Sequence, residues 1–263
     1  MGTILDKIIA EKVKEVERLK GMELVDGHNR SEKRSFISIL EKAKDVSIIA
    51  EFKRASPSKG DINPGIDPKI QTRTYVESGA DAVSVLTDTP FFKGSLEDLK
   101  AVRSSIGAPI LCKDFIIDPI QIDCAKNAGA DIILLIAAAL SDVQLHDFYQ
   151  YALERDLEVL MEVHNEEEAE RVLKTGNHLI GVNNRDLKTF EVDLAVTESL
   201  APMIKKEGHF LISESGMVTP EDVARVVKAG ANGILVGETF MRHVDPAAAL
   251  KEMKLPLIEV SYK

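Results

Sequence analysis

The sequence predicts a (β/α)8 barrel, an α/β fold, with an N-terminal helical extension, and three observations predict it. A short motif recurs: Gly79-Ala80-Asp81, Gly129-Ala130-Asp131 and Gly230-Ala231-Asn232, with Gly176-Asn177-His178 as a worn fourth copy, each follow an amphipathic segment and precede a short apolar run. The glycine reads as the residue just past a helix, and the run as a parallel strand buried on both faces. Helix starts recur as clearly, because Asp67-Pro68, Asp118-Pro119, Thr219-Pro220 and Asp245-Pro246 each set a capping side chain before a proline at the first helical position. The length of 263 residues is close to the ~250 of one such barrel, and nothing marks an internal boundary. Residues 1–263 therefore read as one domain, with 1–45 as its extension. A doubly wound open sheet is the alternative, but it carries a glycine-rich fingerprint after its first strand, which the segment from Arg54 to Gly60 is not.

In chain order, Ile4, Leu5, Ile8, Ile9, Lys12, Val16 and Leu19 nearly complete one helical stripe, with Lys12 its single interruption. An amphipathic helix is expected to run to Gly21. Residues 21–32 read as a loop, and Ser35 as the cap of a second helix over 36–44 with Phe36, Ile39, Leu40 and Ala43 on one face. Both helices precede the first strand and are expected to cover the barrel, as a cap on its bottom or as a flap over its open end. Strands are expected from Ile48 onward and then at 82–86, 109–113, 132–137, 159–163, 179–182, 210–213 and 234–236. Asn165 with Glu168 reads as a capping box, which accounts for the acidic run from Glu166 to Glu168.

Composition excludes several classes. Hydrophobic residues make up 44% and charged residues 29%, and no apolar run approaches the ~20 residues that span a bilayer. The N-terminus alternates charged and apolar residues without a signal-peptide core, so a cytoplasmic protein with no membrane partner is expected. A net charge of −10 argues against a nucleic-acid surface and leaves room only for a local cationic pocket. Cys112 and Cys124, both in apolar segments, read as buried reduced thiols. The histidines never fall at i, i+4 and none neighbours a cysteine, so no metal site is expected.

The chemistry gathers where strands end. Ile48, Ile49 and Ala50 are apolar, but the same strand finishes on Glu51 and Lys53, which alternation puts on one face with Phe52 on the other. Such charges are costly unless they are paired or face a wet pocket. Ser56, Pro57, Ser58 and Gly60 then turn the chain into a polar loop. The third strand ends Lys113-Asp114-Phe115, the fifth carries Glu162, the sixth ends Asn183-Asn184-Arg185, and the seventh ends Glu214-Ser215-Gly216. A buried ion pair explains one charged strand end. It does not explain five, because barrel interiors are normally filled by branched apolar side chains. Ser215-Gly216 and Gly237-Glu238, the latter opening a short helix after the last strand, also suit a phosphate, with Lys53 available to add positive charge.

The segments EFKRASPSKG, CKDFIID, LMEVH, GVNNRDL, SESG and VGETFMR, in this order and spacing, resemble the indole-3-glycerol-phosphate synthase family from the N-terminal helices to about Arg242. The resemblance implies a ribulose-phosphate-binding barrel that closes the indole ring of a carboxyphenylamino-deoxyribulose phosphate, releasing carbon dioxide and water. It implies a phosphorylated small-molecule substrate and no metal or organic cofactor; apart from the resemblance, a monomer is the expected state. Residue by residue, it carries catalytic roles onto Glu51, Lys53, Lys113, Glu162, Asn183 and Ser215. Substrate and phosphate contacts fall on Lys53, Ser56, Phe115, Arg185, Glu214, Ser215, Gly216, Gly237 and the backbone of Glu238. Glu238 is a departure: some relatives have serine there, so a hydroxyl contact is lost and the carboxylate must point away. The chemistry suits these residues, since a lysine of ordinary pKa ~10.4 is an ammonium acid at neutral pH and a carboxylate can serve as base. One alternative, a phosphoribosylanthranilate isomerase, would want a cysteine where Glu51 and Lys53 stand, and Cys112 is turned away if Lys113 faces inward. The other, a barrel that binds a phosphorylated ligand without catalysis, has the intact Lys53, Lys113 and Glu162 set against it. The sequence ends soon after the last helix, so no fused second enzyme is expected.

Overall fold

From Ser47 onward strand and helix alternate. A computed structural model describes residues 3–21 and 34–260. Its eight parallel strands are β1 (Ser47–Phe52), β2 (Ala82–Leu86), β3 (Ile110–Lys113), β4 (Ile132–Ile136), β5 (Glu158–Val163), β6 (Leu179–Asn183), β7 (Phe210–Glu214) and β8 (Gly233–Val236). They pair in sequence order, and β1 pairs with both β2 and β8, so the sheet closes into a barrel.

The recurring motif does two jobs. Gly79, Gly129, Gly176 and Gly230 all hold positive φ (105°, 109°, 77° and 94°), a conformation that stops a helix and costs other residues strain. The motif's third residue ties strands together: the side chains of Asp81, Asp131 and Asn232 accept the backbone N–H of Ile48, Ile110 and Leu211 at 2.8, 2.9 and 3.0 Å. Asp67, Asp118, Thr219 and Asp245 cap α3 (Pro68–Glu77), α6 (Pro119–Ala128), α10 (Pro220–Lys228) and α12 (Pro246–Met253), as expected. Asn165 caps α8 (Glu166–Leu173), but the reciprocal half of the box is different: the Glu168 carboxylate accepts from Asn165 Nδ2 and the His164 N–H, both at 2.8 Å. The barrel also carries α4 (Thr89–Phe92), α5 (Leu96–Arg103), α7 (Asp142–Leu153), α9 (Ala195–Lys206) and α11 (Glu238–Arg242), with a 3-10 turn at Ala137–Ala139. Among the described residues, no helix is long and apolar enough to cross a membrane.

Alternation along the strands separates two cores. Ile48, Ala50 and Phe52 of β1 pack outward with the helices, while Ile49 faces inward with Ala82, Leu111, Ile132, Leu160, Leu179 and Ile212. This apolar floor carries the charged residues above it at the C-terminal strand ends.

The two N-terminal helices go to opposite ends. The second, α2 (Phe36–Leu40), is shorter than the expected 36–44 and buries Phe36 and Leu40 in the interior core, so it plugs the bottom. Ser35 caps it, and Glu158 at the start of β5 accepts from Ser35 Oγ and from the N–H groups of Phe36 and Ile37 at 2.9 and 3.2 Å. A carboxylate on free N–H groups at a helix start is favourable, and here it holds a helix too short to persist alone. The first, α1 (Ile4–Lys20), is capped by Thr3 and Gly21 and sets Ile4, Leu5 and Ile8 against the cavity at the open end. The loop expected between them falls, beyond Gly21, outside the described residues. Glu158→Ala leaves three donors without their carboxylate, a loss of about 2 kcal/mol. A thermal melt should show a midpoint lower by roughly 4–8 °C. Activity should hold within about twofold, since the plug is remote from the open end.

Candidate active site

The open end of the barrel holds a cavity of about 980 Å³. Alternation turns Glu51 and Lys53 inward at the end of β1, Lys113 and Asn183 close β3 and β6, and Glu214 closes β7. The lysines reach further into the cavity than the acids: the Lys53 and Lys113 side chains are 18% and 13% exposed, those of Glu162 and Glu214 only 4% and 2%. The lysine side chains are thus the more open to the cavity, and the carboxylates are the more deeply buried.

Lys113 Nζ donates to Glu162 Oε2 at 3.1 Å and also pairs with Glu214. Asn183 Nδ2 donates to Glu162 Oε1 at 3.1 Å, and Ser215 Oγ donates to Asn183 Oδ1 at 2.9 Å. Lys53 pairs with Glu51 at the end of β1. Two glycines make room for the buried acids, because a Cβ at Gly181 would run into Glu214 Oε1 and one at Gly237 into Glu51 Oε1.

Burial alone would lower the Lys113 pKa, but Glu214, Glu162 and Glu51 outweigh it and hold the ammonium above its ordinary range. Burial raises Glu162, yet Lys113, His164 and Asn183 hold that carboxyl below its ordinary range. For Glu214 the balance is reversed: burial, helped by Glu162 and Glu51, outweighs Lys113 and raises it to about 7. Its Oε1 has no hydrogen-bond partner among the described residues. Behind Glu162 stands His164, with Nε2 3.2 Å from Glu162 Oε1 in an ionic contact and Nδ1 3.1 Å from Glu168. Burial would lower this imidazole, but the two carboxylates raise it to about 10, so it is a cation at neutral pH.

After β7, Ser215 and Gly216 hold positive φ (64° and 94°), and a side chain at Gly216 would collide with Val192 and Leu194. Thr239 Oγ1 donates to Met217 O at 2.8 Å, tying this loop to the start of α11. The Glu238 carboxylate is taken up by Arg242 at 3.1 Å and Lys59 at 3.6 Å. The segment after β1 is not wholly irregular: Ala55–Ser56 pairs with Gly60–Asp61 in a small hairpin. Ser56 lines the cavity, while Arg54 is held by Asp98 through two bonds of 2.6 and 2.8 Å. Phe115 packs on Phe92 at 5.9 Å, and Arg185 donates to Phe190 O at 3.1 Å. Each expected site residue thus lines one cavity, although Glu214 lies with its carboxylate under Lys113. His164 and Phe92 went unassigned from sequence. Period-2 spacing from Glu162 was the available signal for His164; Phe92 carried none.

A family model described as indole-3-glycerol phosphate synthase matches residues 5–253. The chain is 53% identical over 242 residues to the indole-3-glycerol phosphate synthase of Bacillus mycoides, covering 92% of this chain and 94% of that protein. With one from Bacillus cereus it shares 50% over 256 residues, 97% and 99% of the two chains. Among solved structures, a 3-hexulose-6-phosphate synthase is similar with a TM-score of 0.63 and 19% identity, over 79% of this chain and 98% of that one. A thiamine phosphate pyrophosphorylase from Pyrococcus furiosus gives 0.59 and 19%, over 79% and 93%. At that identity the two structures speak for the barrel alone.

Proposed function

This chain belongs to the indole-3-glycerol phosphate synthase family, and from that premise we propose how its residues divide the reaction. The family's reaction closes the indole ring of 1-(2-carboxyphenylamino)-1-deoxyribulose 5-phosphate with loss of carbon dioxide and water, a carboxy-lyase chemistry. The observation that carries the assignment of roles is the Lys113 ammonium, which faces the cavity while Glu162 and Glu214 hold its charge from below.

Lys113 is the acid of ring closure. As the aromatic carbon bearing the carboxylate attacks the ketone carbon, the carbonyl oxygen becomes an alkoxide and takes the lysine proton. The carbon–carboxylate bond then breaks, and its electron pair restores the aromatic ring. Glu162, held ionised, is the base of the dehydration that follows, taking a proton from the carbon next to nitrogen as the new hydroxyl leaves. Lys53, the second ammonium, protonates that hydroxide, while Glu51 balances and orients it. Asn183 and Ser215, bonded in series to Glu162, hold a substrate hydroxyl. We assign the phosphate to the backbone of Ser215-Gly216 and Gly237-Glu238 with Lys53 nearby, and the rest of the substrate to the side bearing Ser56, Phe115 and Arg185. We take residues 1–263 to be one catalytic domain, 1–45 its extension, acting as a monomer in the cytoplasm.

Steady-state assay by indole fluorescence tests this reading. Inorganic phosphate should compete with substrate, and the dephosphorylated substrate should bind at least about 100-fold more weakly, the loss of two or more charge-assisted bonds. Equal affinity with and without the phosphate would remove the anion assignment.

A further inference from the structure

We propose that Lys12 is a positioning residue of the active site: its ammonium, carried in by α1, clamps the loops after β2 and β3 so that the Phe92–Phe115 wall and Lys113 take up their working positions. This deepens the reading of the site given above and rests on it.

Lys12 belongs to no part of the reacting cluster, yet it is 1% exposed, and a lysine is almost never buried this far unless it is paired. On α1 it is the middle of a row, Ile8, Lys12 and Val16, that faces the barrel at i, i+4, i+8. Its Nζ lies 2.6 Å from Asp114 Oδ1, 3.2 Å from Asp88 Oδ2 and 2.9 Å from Glu15 Oε2. Glu15 sits one turn further along α1, so only the two aspartates join the helix to the barrel.

Both aspartates hold parts of the cavity wall. Asp88 follows β2 and caps α4 by accepting the Phe91 N–H at 2.8 Å; α4 carries Phe92. Asp114 follows Lys113 directly, accepts the Phe115 N–H at 2.7 Å, and takes a 2.5 Å bond from Thr87 Oγ1 at the end of the β2 segment. Phe92 and Phe115 then meet with ring centroids 5.9 Å apart and both face the cavity. One buried cation thus joins two loops whose aromatic rings form one wall, and one of those loops is the residue next to the proposed acid. The Asp88 side chain is fully buried, and apart from the Lys12 contact its Oδ2 has no hydrogen-bond partner among the described residues. Without Lys12 the two carboxylates would sit buried beside each other, which forces either protonation or separation of the loops.

Displacing catalytic groups by about 1 Å can cost on the order of 100-fold in rate, so the clamp should be visible in kinetics and not only in stability. The test compares the full chain with Lys12→Met, Asp88→Asn and the double variant, measuring kcat, KM and the thermal midpoint of each at a temperature where all are folded. Lys12→Met should lower kcat/KM by about tenfold or more, with kcat down and KM up, and should lower the midpoint. Asp88→Asn keeps the helix cap, because asparagine caps as well as aspartate, and should lower kcat/KM several-fold by itself. Combining them removes one of the two orphaned charges and the repulsion between them, so the double variant should regain part of the midpoint while kcat/KM stays low. Where Lys12→Met does not fold, the double variant and Asp88→Asn carry the measurement. Kinetic constants within twofold of the parent in a folded Lys12→Met, or activity in the double variant that returns in step with its midpoint, would make Lys12 a stability element and overturn the inference. A parent chain that gives no indole-ring fluorescence from the carboxyphenylamino-deoxyribulose phosphate would instead overturn the reading of the site on which the inference rests.

Discussion

Replacing Lys113 by alanine should abolish carbon dioxide release and indole fluorescence together, by roughly 10²–10⁴-fold. The order of bonds requires it. The carboxylate can leave only after the aromatic carbon has attacked the ketone, because that attack breaks aromaticity and gives the departing pair of electrons somewhere to go. Without Lys113 the alkoxide develops with no ammonium held beside it by Glu162 and Glu214, and every later event waits on that step. Loss of fold is not the expected cause. Glu162 and Glu214 would face each other without their cation, but Glu214 is already raised to about 7 and can take a proton, which relieves the repulsion. A thermal melt and far-UV spectrum of the variant check that the barrel is intact. A single-turnover run that still released carbon dioxide near the parent rate would remove Lys113 from the acid role and leave Lys53, the other ammonium at the cavity, as the group to test.

The parts of the fold that could be read from sequence are those set by neighbouring residues. Gly79, Gly129 and Gly230 announce helix ends because only a residue tolerant of positive φ stops a helix there, and Asp-Pro pairs announce starts because both residues act within one turn. Glu51 and Lys53 were legible as cavity residues because a strand's alternation is local. The end of α2 was not: nothing at Leu40 stops a helix, and its five residues last only as far as the interior core and Glu158 hold them. Lys12 is the clearest case. Counted along α1 it is a flaw in an apolar stripe, and only the fold brings Asp88 and Asp114 to it from two different strand ends. Glu214 is expected from sequence among the substrate contacts and lines the cavity, but its pairing with Lys113 was not legible, because it depends on the inward turn at the end of β7 and on the space that Gly181 leaves on the neighbouring strand. Helix α1 and α2 also show why two adjacent amphipathic segments could not be told apart: each offers one apolar face, and which end of a barrel that face covers is decided by what waits there.

Glu162→Gln should separate the two halves of the reaction. The substitution keeps length and polarity but gives up the negative charge and the ability to take a proton. Lys113 stays charged in this variant, since Glu214 pairs with it directly and Glu51 adds to the field, so ring closure and decarboxylation should proceed. The carbon next to nitrogen then keeps its proton, and the closed, decarboxylated intermediate accumulates. In a single turnover followed by both signals, carbon dioxide should therefore appear ahead of indole fluorescence, with the second phase slower than in the parent by roughly 10²–10⁴-fold. The surroundings of Glu162 also fix the pH behaviour. Lys113, His164 and Asn183 hold it below the ordinary carboxylate range, so in the parent the base is ionised throughout the neutral and mildly acidic range. His164, raised to about 10, keeps its charge there too, so neither group should bring a break in the dehydration rate between about pH 5 and 8. A break near neutrality in that phase would point to Glu214, the acid beneath Lys113 that is raised to about 7. Parallel loss of both signals in Glu162→Gln would mean that Glu162 acts before or during ring closure, and the base of the dehydration would have to be sought elsewhere among the groups that face the cavity.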